Sequence, residues 1–281
     1  MHIQHNLAAV NTSRNQGIAN KKLQNSLERL SSGYRIIRAG DDAAGLAISE
    51  SMRSQINGLD QAMHNLDDGV GMAQTGDGAL TEVHAMLGRL KTLAVQAANG
   101  TFDKNARDGI EAEKEELLQE IDRIGQSTDY DDIPLFESTP PLPPFAPPTR
   151  KDDITLQIGQ SSAETLPLTR YHMGRESLKL DKLDFSGVNE ANASIPVIED
   201  AIQAVTVMRS DFGAAQNHLE RTHNNLSVTH ENMTAAESQI RDTNMAEQIT
   251  EYTKDKIILD ASYSTMKYSN SLPEMVMKLL Q

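Results

Sequence analysis

Between residues 198 and 240 a large apolar residue returns at every seventh position: Ile198, Val205, Phe212, Leu219, Leu226, Met233 and Ile240. Seven residues bring a side chain back to nearly the same side of an α-helix, so these form one narrow stripe. Ile202, Met208, Ala215 and Ala236 supply its second line, with Thr222 and Thr229 as weaker points. A stripe of this length must be covered along its whole course by other helices. Gly213 and Ala214 predict a place where another backbone approaches closely.

A matching stripe lies upstream. Met52, Leu59, Leu66, Ala73, Leu80, Leu87 and Ala94 also recur every seven residues. They alternate with Ile56, Met63 and Val70 at a step of four, then with Val83, Leu90 and Ala97 at a step of three. The change falls across Gln74-Thr75-Gly76-Asp77-Gly78, which has no large apolar residue and reads as a register adjustment within a coiled coil. This second long helix is the natural partner of the first.

Weaker elements surround the two. Leu7, Val10, Ile18, Leu23, Leu27 and Leu30 have helical spacing, in a thin stripe that needs a partner to be stable. That helix should end near Ser31 or Ser32, and a linker should cross Gly33 to Gly40. Asp41 and Asp42 then serve as N-cap and first-turn residues of the next helix. Asn99-Gly100-Thr101 is a turn before a third helix with Ile110, Leu117, Ile121 and Ile124 inside and a solvated acidic face outside. Seven of the ten prolines lie between Pro134 and Pro148, where residues 140–148 should form an extended polyproline II connector. Residues 154–158 alternate like a strand and are expected to pair with residues 165–169 or 178–185, the only β signal in the chain. A last helix carries Met245, Ile249, Tyr252, Leu259, Tyr263 and Met266; Pro273 should interrupt it, and Leu272, Val276 and Leu279 close the chain. The fold class is therefore mainly α: a long antiparallel coiled-coil rod or bundle, with a small β-hairpin and helical terminal segments.

Composition narrows function further. A net charge of −14 argues against binding nucleic acid or an anionic membrane surface, and no run of 18 apolar residues exists to insert into a bilayer. With no Cys, disulfide and thiolate chemistry are absent. Aromatics at 4% suit thin helices better than a compact enzyme core. No catalytic constellation stands out, so no enzyme activity and no cofactor are expected. His230-Glu231 lacks the second histidine one turn on that a zinc helix requires, and His218, His223 and His230 have poor chelate spacing. The pairs Asp67-Asp68, Asp131-Asp132 and Asp152-Asp153 read as turn caps rather than acid–base pairs. Residues 1–30 lack the apolar core of a signal peptide, which on its own suggests a cytosolic protein.

Several local motifs together resemble a known family. The stretch 30–50 runs from Leu30-Ser31-Ser32-Gly33 through Gly40-Asp41-Asp42-Ala43-Ala44-Gly45 to Ser49-Glu50. His5-Asn6-Leu7, Arg53-Ser54-Gln55-Ile56, Leu93-Ala94-Val95-Gln96 and Glu120-Ile121-Asp122-Arg123-Ile124 accompany it. Arg209-Ser210-Asp211, Asn232-Met233-Thr234-Ala235-Ala236-Glu237 and Met245-Ala246 follow. In this order and spacing they resemble the bacterial flagellins, subunits of the flagellar filament, in a short form. The resemblance covers roughly residues 1–130 and 195–281.

That resemblance implies a structural subunit that polymerises for motility and leaves the cell through the flagellum's own channel without a cleaved signal. It overrides the cytosolic reading and implies an extracellular location in the filament. Residues 1–41 and 241–281 would form a terminal helical filament-core domain, disordered in the monomer. Residues 42–133 and 190–240 would form the helical rod, and 134–189 the proline-rich connector and β-hairpin. Assembly positions would include Leu7, Leu23, Leu27, Leu30, Ile249, Tyr252, Leu259, Met266 and Leu279. Implied partners are further copies of the chain, an export chaperone, the filament cap and the hook-junction proteins. Recognition by animal Toll-like receptor 5 is also implied, at Leu87, Arg89, Leu93, Gln96, Asn99 and Glu113. Gly88 and Thr92 depart from the larger polar residues common there. Ser264 to Asn270 replaces an Ala- and Gln-rich stretch, and Tyr130-Asp131-Asp132-Ile133 replaces a Phe-Asn-Gly turn. The alternative is a minor flagellin-like junction or adaptor subunit that forms no long filaments alone.

Overall fold

The computed structural model describes residues 6–137, 154–161 and 163–279. The proline run at 140–148 and the pair Asp152-Asp153 lie outside the described residues. The chain divides into two compact units, Met1–Ile56 with Glu231–Gln281, and Asn57–His230.

In the first unit, helix α1 (Leu7–Ser32) begins at Asn6, whose side-chain oxygen accepts the Ala9 N–H at 3.1 Å. It ends at Gly33, whose φ of 75° is left-handed and suits a residue without Cβ; its N–H returns to the Arg29 carbonyl at 2.9 Å. Helix α2 (Ala43–Ala97) starts after Asp42, which accepts the Gly45 N–H at 2.9 Å. Asp41 departs from the expected pairing with Asp42. Its carboxylate turns back to accept the N–H groups of Arg38 at 3.1 Å and Ile37 at 3.2 Å, closing the linker. Those two amides, Arg38 foremost, hold the Asp41 pKa below its ordinary value.

The last turns of α4 (Val188–Arg241), from Glu231, and helix α5 (Met245–Leu279) complete this unit. The α1–α2 and α4–α5 linkers lie side by side. Arg35 donates to the Arg241 carbonyl at 2.7 Å, Thr243 to the Gly33 carbonyl at 2.9 Å, and Tyr34 forms an antiparallel bridge with Asp242. The Tyr34 ring carries the Arg241 guanidinium at 4.9 Å and that of Arg53 at 5.7 Å, as cation–π contacts. Glu50 and Glu237 neutralise the same two arginines at 2.5 Å and 3.3 Å. The expected break at Pro273 is absent: α5 continues to Leu279. A proline removes one N–H but leaves the rest of the ladder intact, and the carbonyl it orphans finds another donor, described below.

In the second unit α2 and α4 run antiparallel. Asp60 meets His230 at 3.0 Å, Asp67 meets His223 at 3.6 Å, Asp77 meets Arg209 at 2.8 Å, and Lys91 meets Glu199 at 2.8 Å. Rising numbers on one helix thus meet falling numbers on the other. Along the stripe Leu66, Leu80, Leu87, Leu90, Ile198, Val205 and Leu219 are fully buried. Residues 74–78 leave α2 unbroken. Gly76 is a notch that receives the ring of Phe212: a Cβ there would lie 2.9 Å from the ring. Gly213, expected to admit a close neighbour, has open space beside it, so the close approach is at Gly76 instead.

Helix α3 (Lys104–Ser127) covers the core with Ile110, Leu118 and Ile121. Its charged face is not wholly solvated as expected. Lys114 is buried, donating to Glu111 at 2.5 Å and to the Leu183 carbonyl at 2.9 Å over the Phe185 ring. The partner of this face is a loop that alternation alone did not reveal. Residues 178–185 are not a strand: they contain a 3-10 turn at Leu180–Lys182 and bury Leu178, Leu180, Leu183 and Phe185.

Among the described residues there are three two-stranded pairs rather than one hairpin. The predicted strand β4 (Ile154–Gln157) pairs antiparallel with β5 (Thr165–Leu168), Ile154 opposite Leu168. The others are β1 (Asp129–Tyr130) with β2 (Ile133–Pro134), and β3 (Phe136–Glu137) in parallel with β6 (Tyr171–His172). Each is two residues long, too short for alternation to show. Asp131 and Asp132 turn the first pair at φ 52° and 63°, the left-handed geometry of a two-residue hairpin turn.

Candidate assembly site

The terminal helices pair along a regular seam. On α1 it is built from Ala9, Thr12, Gln16, Ala19, Leu23, Ser26 and Leu30, at alternating steps of three and four. On α5 it uses Gln248, Tyr252, Asp255, Leu259, Ser262, Met266 and Ser269 in the same rhythm. This is coiled-coil spacing filled mostly with small and polar residues. The Gln248 amide nitrogen and the Ser269 hydroxyl are buried there and make no hydrogen bond among the described residues. A buried polar group left so costs about 1–3 kcal/mol, so the seam stabilises the pair weakly.

Many of the large apolar residues lie outside the seam. Leu7, Val10 and Ile18 of α1 are 51–68% exposed. Ile257, Tyr268 and Met275 of α5 are 48–64% exposed and lie on one line, because steps of eleven and seven both return to the same side of a helix. Ile249 and Tyr263 are also exposed, on the flank between this line and the seam. Soluble monomers rarely leave a large continuous apolar surface uncovered, and such surfaces mark sites of association.

The nine positions singled out for assembly therefore divide. Leu23, Leu30, Tyr252, Leu259 and Met266 belong to the seam within the chain. Leu7, Leu27 and Ile249 are exposed. Leu279 ends α5, and its side chain lies outside the described residues. Ile257 and Tyr268 were missed as site residues; their eleven-residue spacing, paired with Met275 seven further on, was the available signal. Within 264–270 Lys267 and Tyr268 are exposed, so this altered stretch presents them outward rather than into the seam.

The six receptor-motif positions divide as well. Leu87 and Leu93 are buried in the rod core. Gln96 and Asn99 are exposed, and Arg89 binds Glu113 across α2 and α3 at 2.7 Å. This hydrogen bond raises the Arg89 pKa and lowers that of Glu113. Among the described residues no cluster of three or more His, Cys, Asp or Glu is placed to hold a metal, and no helix is long and apolar enough to cross a membrane.

Comparison with known proteins fits this arrangement of paired ends and antiparallel rod. Residues 3–140 match the profile described as the bacterial flagellin N-terminal helical region, and residues 195–280 match the C-terminal one. A flagellin of Halalkalibacterium halodurans is 41% identical and one of Bacillus subtilis is 40% identical, each alignment spanning all of both chains. The crystal structure of Bacillus cereus flagellin, 30% identical, covers 62% of this chain and 94% of its own, with a TM-score of 0.50. On these matches, which span both ends and the rod between them, the chain belongs to the bacterial flagellins.

Proposed function

We propose that this chain is a structural subunit of the bacterial flagellar filament, polymerising outside the cell through α1 and α5. One observation carries the reading: the terminal pair joins through a seam filled mostly with small and polar residues and leaves Leu7, Val10, Ile18, Ile257, Tyr268 and Met275 exposed. Such an arrangement is weak alone and gains its stabilisation when neighbouring copies cover the outer face. The terminal helices then acquire full order only in the filament, postponing their ordering cost until buried surface offsets it. The same ends serve the export chaperone, the filament cap and the hook-junction proteins, which meet the subunit before or beside its own copies. Electron microscopy of purified subunit seeded with short filament fragments in moderate salt tests this. Long filaments are expected from the full chain and none from a chain lacking residues 245–281. Growth by the truncated chain would refute the mechanism, and seed-capping by the full chain would favour a minor junction subunit.

Recognition by Toll-like receptor 5 is the finer part of the proposal. Its support is a solvent-facing set on α2 and α3, Arg89, Gln96, Asn99 and Glu113, held over the buried Leu87 and Leu93. Arg89→Ala is expected to leave folding essentially unchanged, as for an exposed ion pair, and to reduce receptor signalling in a reporter assay. Unchanged signalling would remove the receptor from the function.

A further inference from the structure

Pro273 sits inside α5 and has no N–H to offer the carbonyl four residues earlier, that of Ser269. Ser269 is 5% exposed, so this carbonyl needs a partner from within the molecule. The partner is Asn6. Its amide nitrogen donates to the Ser269 carbonyl at 2.9 Å, while its amide oxygen accepts the Ala9 N–H at 3.1 Å. One side chain thus caps the start of α1 and satisfies the vacancy that proline creates near the end of α5.

We propose that Asn6 is a positioning residue that reads the carbonyl freed by Pro273 and so clasps the start of α1 to α5 at the end of the pair remote from the Tyr34 joint. The Gly33–Thr243 and Arg35–Arg241 hydrogen bonds set the register at the linker end, while the far end is held by the weak seam and this clasp. Near that end the seam offers mostly small or polar residues, among them Ala9, Thr12, Ser262 and Ser269, which hold the two helices together weakly. Every other carbonyl in that stretch of α5 has an amide four residues ahead; Ser269 alone does not, which makes it a unique mark. The clasp also holds Leu7 and Val10, which follow Asn6 closely in sequence, in place on the face offered to neighbours. In this respect the inference rests on the filament reading above.

A double-mutant cycle tests it. Asn6→Ser keeps a good N-cap but is too short to reach Ser269. Pro273→Ala returns an N–H to the Ser269 carbonyl from within α5. The critical concentration for seeded polymerisation is expected to rise about tenfold for N6S in the parent chain, the scale of one buried unsatisfied carbonyl. In the P273A background N6S should change it less than about twofold. Equal effects in the two backgrounds, or none in the parent, would overturn the proposal. If the parent chain fails to polymerise, the filament reading fails separately. The same cycle is then read in the free chain as hydrogen-exchange protection of α5, where coupling between the two substitutions supports the clasp and its absence overturns it.

Discussion

Replacing both Ile257 and Tyr268 by aspartate is expected to abolish filament growth at micromolar concentration and to leave a soluble, helical subunit. Both side chains point away from the seam, at 63% and 64% exposure, so within the chain the substitutions remove almost no packing. Between copies the balance is different. Burying an isoleucine or an aromatic ring against a neighbour stabilises by about 1.5–3 kcal/mol. Forcing an unpaired carboxylate into the same place costs several kcal/mol more. The sum for two positions exceeds about 4 kcal/mol per added subunit, which is roughly a thousandfold in critical concentration. Turbidity and electron microscopy after seeding measure the loss, and far-UV circular dichroism checks the fold. Normal growth by I257D/Y268D would mean that neighbours cover some other surface.

Phe212→Ala is expected to lower the stability of the second unit by about 3–5 kcal/mol, the usual range for deleting a buried aromatic ring. Phe212 meets Phe136 and Tyr171 edge-on, with centroids 6.2 Å and 6.0 Å away, and its ring enters the notch at Gly76. It therefore joins α2, α4 and the β3–β6 pair at one point. Gly76→Ala should also destabilise, because its new methyl would lie 2.9 Å from the ring. In a Phe212→Leu background that cost should shrink. Urea denaturation of the four proteins gives the coupling, and strictly additive losses would contradict the contact.

The sequence stated much of this plan because heptad spacing is a direct record of helix pairing. Ile198, Val205, Phe212 and Leu219 are buried in the rod, as their period requires. The helix end at Ser32 was equally legible, since it depends only on neighbouring residues; the start of α2 was legible to within one residue, with Asp42 capping where Asp41 was expected to. What escaped depends on distant partners. Lys114 looks like any surface lysine until the 178–185 loop folds over it. The gap at 74–78 reads as a register shift because nothing local announces that Phe212 will fill it. At the terminal site the apolar positions were visible, but periodicity does not say which side of a helix turns inward. Leu23 and Leu27 are one turn apart, yet Leu23 joins the seam and Leu27 is 47% exposed.

The joint at Tyr34 has a mechanical consequence. A single peptide linker is a swivel: its soft dihedrals let one segment spin relative to the next. In the first unit two antiparallel linkers cross together, laced by the Gly33–Thr243 and Arg35–Arg241 hydrogen bonds and pinned by Tyr34 between two arginines. Twisting the α1–α5 pair about its axis would stretch both crossings in opposite directions and tear those bonds. The joint therefore resists torsion as a two-stranded strap does, delivering torque applied to the terminal pair to the adjoining ends of α2 and α4 instead of losing it as slack.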